Sequence, residues 1–372
     1  MSREQRKTLM SRVRSLVIKV GSHVLADDRG LLDASQIRHL IDQVVALKDR
    51  GFRVTIVSSG AIAAGLGNLG LRKRPESLPP LQACAAVGQA KLMMMFDEAL
   101  QAHGRHAAQV LLVREDVEDR TRYLNIRNCI AAIQAYGAVP IINENDTVSV
   151  DEIRFGDNDI LAAMVTNLLR ADLLVLLTTV EGVFRDAARR ERFDIVEDMA
   201  EVMAAADASR SALGTGGMTS KLEAAATVVA AGEMAAIASG RRANVLTDLL
   251  AGEPVGTLFL PKGEKMTARQ RWIGLARRPR GHLGLDAGAA KAVRARKSLL
   301  ASGITAVKGK FGRGDVVALT DPDGRIIAQG LVNYDAAAIH KIKGLRTSQF
   351  MDVLGERPYD EVVHADNLVL VD

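Results

Sequence analysis

Leu16-Val17-Ile18-Lys19-Val20-Gly21 is a short aliphatic and β-branched run that stops at a glycine, and Phe52-Arg53-Val54-Thr55-Ile56-Val57 repeats the pattern before Ser58. Between them, residues 35–50 place apolar side chains at helical spacing, so the segment reads as a β-α-β unit. The alternation continues outward: a helix over 80–103, a strand over 107–113, a helix over 121–136, a strand over 139–143, a helix over 159–169 and a strand over 173–178. Strands joined by crossover helices form parallel sheets covered on both faces, which accounts for the wholly apolar run Leu173-Leu174-Val175-Leu176-Leu177. The expected fold class is α/β, a three-layer α/β/α sandwich around a mainly parallel sheet. A further alanine-rich helix is expected over 219–231, and the pattern ends near Leu258-Phe259-Leu260. Past Pro279 and Gly281 the signals change to short strands and turns, such as Asp321-Pro322-Asp323-Gly324. The expected domains are 1–265, a basic linker over 266–281, and a small, mostly β domain over 282–372.

Composition limits the function classes. The chain has 372 residues, of which 48% are hydrophobic and 25% charged. That is ordinary globular usage, with length for two domains. The two cysteines, Cys84 and Cys129, match no metal or disulfide spacing, so a reducing cytoplasm is the expected compartment. The basic N-terminus is followed by too short an apolar run for a signal peptide, and no stretch reaches the length of a membrane span. Residues 262–313 hold 14 Lys or Arg against Glu264 and Asp286, leaving 35 basic against 42 acidic residues elsewhere. Such a segment is either a solvated face or a surface for an anionic partner, RNA included.

Five motifs carry candidate chemistry. Lys19 lies inside an apolar strand, where it either snorkels to water at an edge or meets an anion at the strand's carboxyl end, beside Gly21-Ser22. Ser58-Ser59-Gly60-Ala61 follows the second strand with small side chains, as an oxyanion cradle or as a plain N-cap. Gly65-x-Gly67-x-x-Gly70 fits a dinucleotide fingerprint only formally, because no strand directly precedes it and no acid follows about 20 residues later. Ile142-Asn143-Glu144-Asn145-Asp146 ends a strand, and Gly156-Asp157-Asn158-Asp159 opens a helix; such clusters bind an ammonium group, orient lysines, or simply form Asx turns. Gly214-Thr215-Gly216-Gly217-Met218-Thr219-Ser220-Lys221 is a glycine-rich loop entering a helix. It is not a Walker A, and a first-turn lysine opposes the helix dipole unless an anion intervenes. The seven histidines show no zinc spacing, and no GxSxG elbow is present.

In order and spacing these motifs resemble the amino acid kinase family. Phe311-x-Arg313-Gly314-Asp315-Val316-Val317 and Ile327-Ala328-x-Gly330 resemble the PUA domain that bacterial glutamate-phosphorylating members often carry, so the likeness spans nearly the whole chain. It implies transfer of the γ-phosphoryl group of Mg-ATP to the γ-carboxylate of L-glutamate, the first step of proline synthesis. By the same resemblance, Lys19 and Lys221 contact the phosphates and Asp159 holds both lysines. Ser59, Asp146 and Asn158 match glutamate-binding positions. On the ATP side stand Lys19, Thr178, Thr179, Thr215, Gly216, Gly217, Met218, Thr219, Ser220 and Lys221. The family commonly has Thr-Asp where Thr178-Thr179 stands, so one carboxylate is replaced on the nucleotide side. Mg²⁺ would be held by phosphate oxygens and water, with no dedicated protein metal site. The family also implies a homo-oligomer, inhibition by proline, and a functional link to glutamate-5-semialdehyde dehydrogenase, which consumes the labile acyl phosphate. Two alternatives remain at this point. One is a sister kinase acting on N-acetylglutamate, aspartate, carbamate or a nucleotide. The other is an RNA-binding module working through the C-terminal domain, although its basic stretch offers only Trp272 and Phe311 for base stacking.

Overall fold

A computed structural model describes residues 3–27, 30–71, 73–149, 158–186, 191–205, 216–261, 263, 265–276, 279–355 and 358–371. The chain divides into two compact units, one of residues 1–117 and 121–265, the other of residues 118–120 and 266–372.

The larger unit is built on β1 (Ser15–Val20), β2 (Arg53–Ser58), β3 (Ala107–Leu112), β4 (Val139–Glu144) and β5 (Leu173–Thr178). After a two-stranded ladder of β6 (Phe184–Asp186) and β7 (Glu191–Arg192) come β8 (Ile195–Val196), β9 (Met234–Ser239) and β10 (Thr257–Phe259). The main sheet runs β3-β4-β2-β1-β5-β9-β10-β8. Its first six strands are mutually parallel, and β10 turns antiparallel to β9. Every residue of β1 is buried, and β5 is apolar until Thr178, as a central strand covered on both faces requires. The chain leaves β1 toward β2 on one side and leaves β5 toward β9 on the other. The crevice at the carboxyl ends of β1 and β5 is therefore the switch point of the sheet, where ligands of open α/β folds bind.

The helices that shape this crevice are α2 (Ser22–Leu25), α4 (Ala61–Asn68), α5 (Leu78–Gln101) and α8 (Asn158–Leu169). After β8 in the chain comes α9 (Gly216–Ala230). Two glycines set the contact between α4 and α5. A Cβ on Gly65 would lie 1.8 Å from the Cys84 carbonyl oxygen, and one on Gly88 would lie 1.8 Å from that of Ala61. These helices meet backbone to backbone, so Gly65 serves helix packing and not a nucleotide fingerprint. At the start of the unit, α1 (Arg3–Met10) is pinned by Arg6, which is 2% exposed and places Nη1 2.7 Å from Asp194 Oδ1.

The smaller unit holds a five-stranded sheet made of β11 (Gly281–Leu285), β12 (Ile304–Gly309), β13 (Val316–Thr320), β14 (Ile326–Leu331) and β15 (Leu368–Leu370), in the order β12-β11-β13-β14-β15. Its core gathers Leu283, Leu319, Phe350 and Val363, among others. The expected turn at Asp321 is an Asx turn, in which Oδ1 accepts from the backbone of Asp323 and Arg325 and Gly324 takes φ +80°. Within the stretch read from sequence as a linker, Thr267 and Gln270 form a capping box that starts a helix at Ala268–Arg271. Arg271, Trp272 and Ile273 are buried.

Candidate active site

Lys19 is the fifth residue of β1, is 4% exposed, and extends toward the switch-point crevice. Asp159, the second residue of α8, is 1% exposed. Lys19 Nζ lies 2.8 Å from Asp159 Oδ1, and Lys221 Nζ lies 3.0 Å from Oδ2. Ser220 Oγ also donates to Oδ2 at 3.0 Å. Helix α9 begins at Gly216, three residues earlier than the sequence suggested, so Gly216 to Thr219 form its first turn and Ser220 and Lys221 follow on the face toward α8. From there Lys221 Nζ also donates to the Gly217 carbonyl at 3.1 Å.

The electrostatics follow from sharing. Burial alone would raise the Asp159 carboxyl, but two ammonium groups outweigh it and hold the group below the usual carboxylate range. Lys19 moves down as well, because burial and the neighbouring Lys221 exceed what Asp159 returns. Both move down, which favours the charged form of Asp159 and disfavours that of Lys19, because Asp159 faces two cations whereas Lys19 shares one carboxylate with a second cation. Among the described residues, two cations on one carboxylate, Lys19 buried and Lys221 partly buried, leave a surplus positive charge that a second anion would satisfy.

On the other side of the crevice lies a set of neutral amides. The backbone N–H of Ser59 donates to the Val20 carbonyl at 3.0 Å, which ties the loop after β2 to the end of β1. Gly60 takes φ +121°, a conformation glycine adopts freely, and α4 opens after it. Asn158 Nδ2 donates to Ser59 Oγ at 3.0 Å and to Asn143 Oδ1 at 3.2 Å. Asn143 Nδ2 donates in turn to Gln89 Oε1 at 2.8 Å. Asp146 follows β4 in a partly buried loop. Burial pushes its carboxyl up to about 6, partly offset by the Arg74 guanidinium. Among the described residues, Asp146 makes no hydrogen bond with Ser59 or Asn158, so the structure joins Ser59 to Asn158 and leaves Asp146 separate.

The nucleotide-side expectations divide. Thr178 ends β5, and its carbonyl accepts from Gly240 N–H at 2.8 Å, while Thr179 is exposed in the following turn. Thr215 and residues 155–157 of the acidic motif lie outside the described residues. Among the described residues no three His, Cys, Asp or Glu side chains gather so as to hold a metal ion, and no helix is long and apolar enough to cross a membrane.

The profile described as "Amino acid kinase family" matches residues 14–238, and the PUA domain profile matches residues 281–354. The glutamate 5-kinase of Syntrophus aciditrophicus is 45% identical over 99% of this chain and 97% of its own. That of Moorella thermoacetica is 43% identical over the whole of both chains. The chain belongs to the amino acid kinase family, in its glutamate 5-kinase branch. A solved carbamate kinase from Giardia lamblia, bound to AMP-PNP, is 16% identical and superposes with a TM-score of 0.49 over 68% of this chain and 100% of that one.

As a family member the chain is a kinase, with a C-terminal PUA domain that the sequence had led one to expect. Of the groups that the fold brings to the crevice, sequence reading passes over Gln89, which looks like a surface residue of a helix; it takes Asn143 as part of a polar cluster and Ser220 with the nucleotide, and the Ser220 hydroxyl also meets Asp159. One signal for Gln89 was available: Gln82 lies seven residues earlier, on the same face of α5, and donates to the Ser149 carbonyl at 3.3 Å in the segment after β4.

Proposed function

We propose that the chain transfers the γ-phosphoryl group of ATP to the γ-carboxylate of L-glutamate, giving γ-glutamyl phosphate and ADP. The observation that carries this reading is the surplus positive charge of Lys19 and Lys221 around buried Asp159, at the switch point of the sheet, in a chain 45% identical to named glutamate 5-kinases over nearly its full length. A phosphoryl group crossing between two anions needs positioning and positive charge more than proton transfer. The acceptor carboxylate, ionised well below neutral pH, attacks the γ-phosphorus without a general base while the bond to the bridging oxygen of ADP breaks.

The residues present fit a nucleotide triphosphate. Gly21 abuts the Lys19 ammonium, its Cβ position 3.6 Å from Nζ, so the backbone there leaves room for phosphate oxygens. Lys19 and Lys221 would neutralise oxygens of the transferring group, and Asp159 would keep both ammonium groups aimed. The first turn of α9, Gly216 to Thr219, and Thr178-Thr179 would line the nucleotide. Mg²⁺ would accompany the nucleotide through phosphate oxygens and water. Ser59, Asn158 and Asp146 would hold the amino-acid end of glutamate, with acceptor atoms suited to its ammonium group. The same reading extends, on the family's account, to proline as inhibitor, a homo-oligomer, a cytoplasmic setting, RNA as a partner of the PUA domain, and glutamate-5-semialdehyde dehydrogenase as the consumer of the product.

Hydroxylamine trapping tests the reaction directly. Purified protein with Mg-ATP and L-glutamate should yield γ-glutamyl hydroxamate, with N-acetylglutamate, aspartate, carbamate and UMP silent in a parallel ADP assay. ADP release with one of those acceptors and no hydroxamate from glutamate would move the assignment to a sister kinase.

A further inference from the structure

The amide side of the crevice has a fixed polarity, and its origin can be traced. The backbone N–H of Glu144 can only donate, and it donates to Asn143 Oδ1 at 2.9 Å. That fixes which end of the Asn143 amide is oxygen. Asn143 Oδ1 then also accepts from Asn158 Nδ2 at 3.2 Å, and Asn143 Nδ2 must find an acceptor, which it does at Gln89 Oε1, 2.8 Å away. With its amide nitrogen spent on Asn143 and Ser59, Asn158 is left with Oδ1 buried and without a partner among the described residues. A buried, unsatisfied carbonyl oxygen in a ligand crevice is an acceptor prepared for a donor such as a substrate ammonium. Gln89 reaches the far end of this chain of bonds because neighbouring Gly88 lets α5 lie against the backbone of α4.

We propose that Gln89 is a positioning residue for the amino-acid acceptor: by accepting from Asn143 it holds the Asn143 amide, and through it the Asn158 amide, with the Asn158 carbonyl turned to the substrate. Without that acceptor, Asn143 Nδ2 would be buried and unpaired, and the pair of amides would gain by rotating toward other partners. The role is indirect, and it rests on the reading that the acceptor is an amino acid.

The test uses the full chain and the hydroxamate assay. In Gln89→Leu, the KM for glutamate should rise about tenfold, the effect of one lost buried hydrogen bond, while kcat stays within about threefold and the KM for ATP within about twofold. Gln89→Glu keeps an acceptor oxygen for Asn143 and should recover a glutamate KM within about threefold of wild type. Double substitution with Asn143→Ala should cost no more than Asn143→Ala alone, since Gln89 acts through Asn143. A glutamate KM unchanged in Gln89→Leu overturns the proposal. So does a parallel loss of kcat and both KM values, which marks a general packing defect. Failure of Gln89→Glu to recover also overturns it, because Gln89 Nε2, buried and without a partner among the described residues, would then be the working group. Wild type measured alongside separates the two readings: no glutamate turnover there strikes the proposed reaction, whereas a deficit or its absence in Gln89→Leu speaks only to the relay.

Discussion

The two sides of the crevice reach order by different physics. On one, Lys19 and Asp159 are buried and Lys221 is partly buried, and the three are held by Coulomb attraction that leaves one positive charge over among the described residues. On the other, Ser59, Asn158, Asn143 and Gln89 are neutral, and they are held by hydrogen bonds whose direction is inherited from one backbone N–H. The charged side is strong and tolerant of orientation, because an ammonium attracts a carboxylate from many angles. The amide side is weaker per contact but directional, since rotating one amide exchanges a donor for an acceptor. A phosphoryl group asks for the first kind of site and an amino acid for the second, so the contrast fits a kinase with an amino-acid acceptor.

Removing a charge should expose the contrast most sharply. Lys221→Ala is expected to lower kcat about a thousandfold, as loss of a cation acting on the transition state does, while changing the glutamate KM less than about threefold. Lys19 and Asp159 would remain as a balanced pair, so the protein should still fold. Steady-state kinetics with glutamate and ATP varied in turn checks this, and an unchanged kcat would take Lys221 out of the chemistry.

The next effect falls on the amide side through the backbone. Gly88→Ala puts a methyl carbon where the Ala61 carbonyl oxygen stands, 1.8 Å away, so α4 and α5 must separate. The expected cost is about 2–3 kcal/mol, seen as a melting temperature lowered by about 5–10 °C. Because Gln89 would move with α5, the glutamate KM should rise while the ATP KM holds. A melting temperature equal to wild type would show that the two helices part without cost and that the relay does not depend on their close approach.

The same contrast decides what could be read from the chain. The β1-α-β2 pattern, the parallel sheet and the β-rich C-terminal unit were legible because apolar periodicity and turn residues record burial directly. Lys19 stood out because a charge in an apolar run is costly to bury and must have a reason to be there, whereas Asp159 entered as the end of a polar cluster opening a helix, with its role implied by the family resemblance. Gln89 and the role of Gly65 and Gly88 were not legible. A glutamine on a helix is ordinary at the surface, and a glycine in a helix names no partner until the neighbouring helix is placed. The start of α9 was misjudged for a related reason: glycines at 216 and 217 argue for a loop by propensity, but a helix N-terminus tolerates them where its first N–H groups are free. Thr215 and the first part of the acidic motif lie outside the described residues.

The smallest effect separates the two sides by pH. Asp146, in the loop after β4, is the titrating group that the proposed reading assigns to the substrate ammonium. Burial raises its carboxyl from 3.8 to about 6, so in the free protein it is largely protonated below that value and charged above it. The folded chain thus holds this proton more tightly than the unfolded one, and the resulting contribution to stability, full below 3.8, is lost as pH rises through about 6. Binding has the opposite slope, because only the ionised carboxylate attracts a substrate ammonium. The apparent glutamate KM should therefore rise as pH falls below 6, by about tenfold between pH 7 and pH 5, with kcat/KM reporting the free-protein value. Asp159, held below the ordinary carboxylate range by its two lysines, stays ionised over that interval, so kcat should change little. Asp146→Asn should leave a weaker but pH-independent glutamate KM. If wild type shows a flat KM with the pH dependence in kcat instead, the titrating group lies on the charged side of the crevice, and Asp146 does not hold the amino acid.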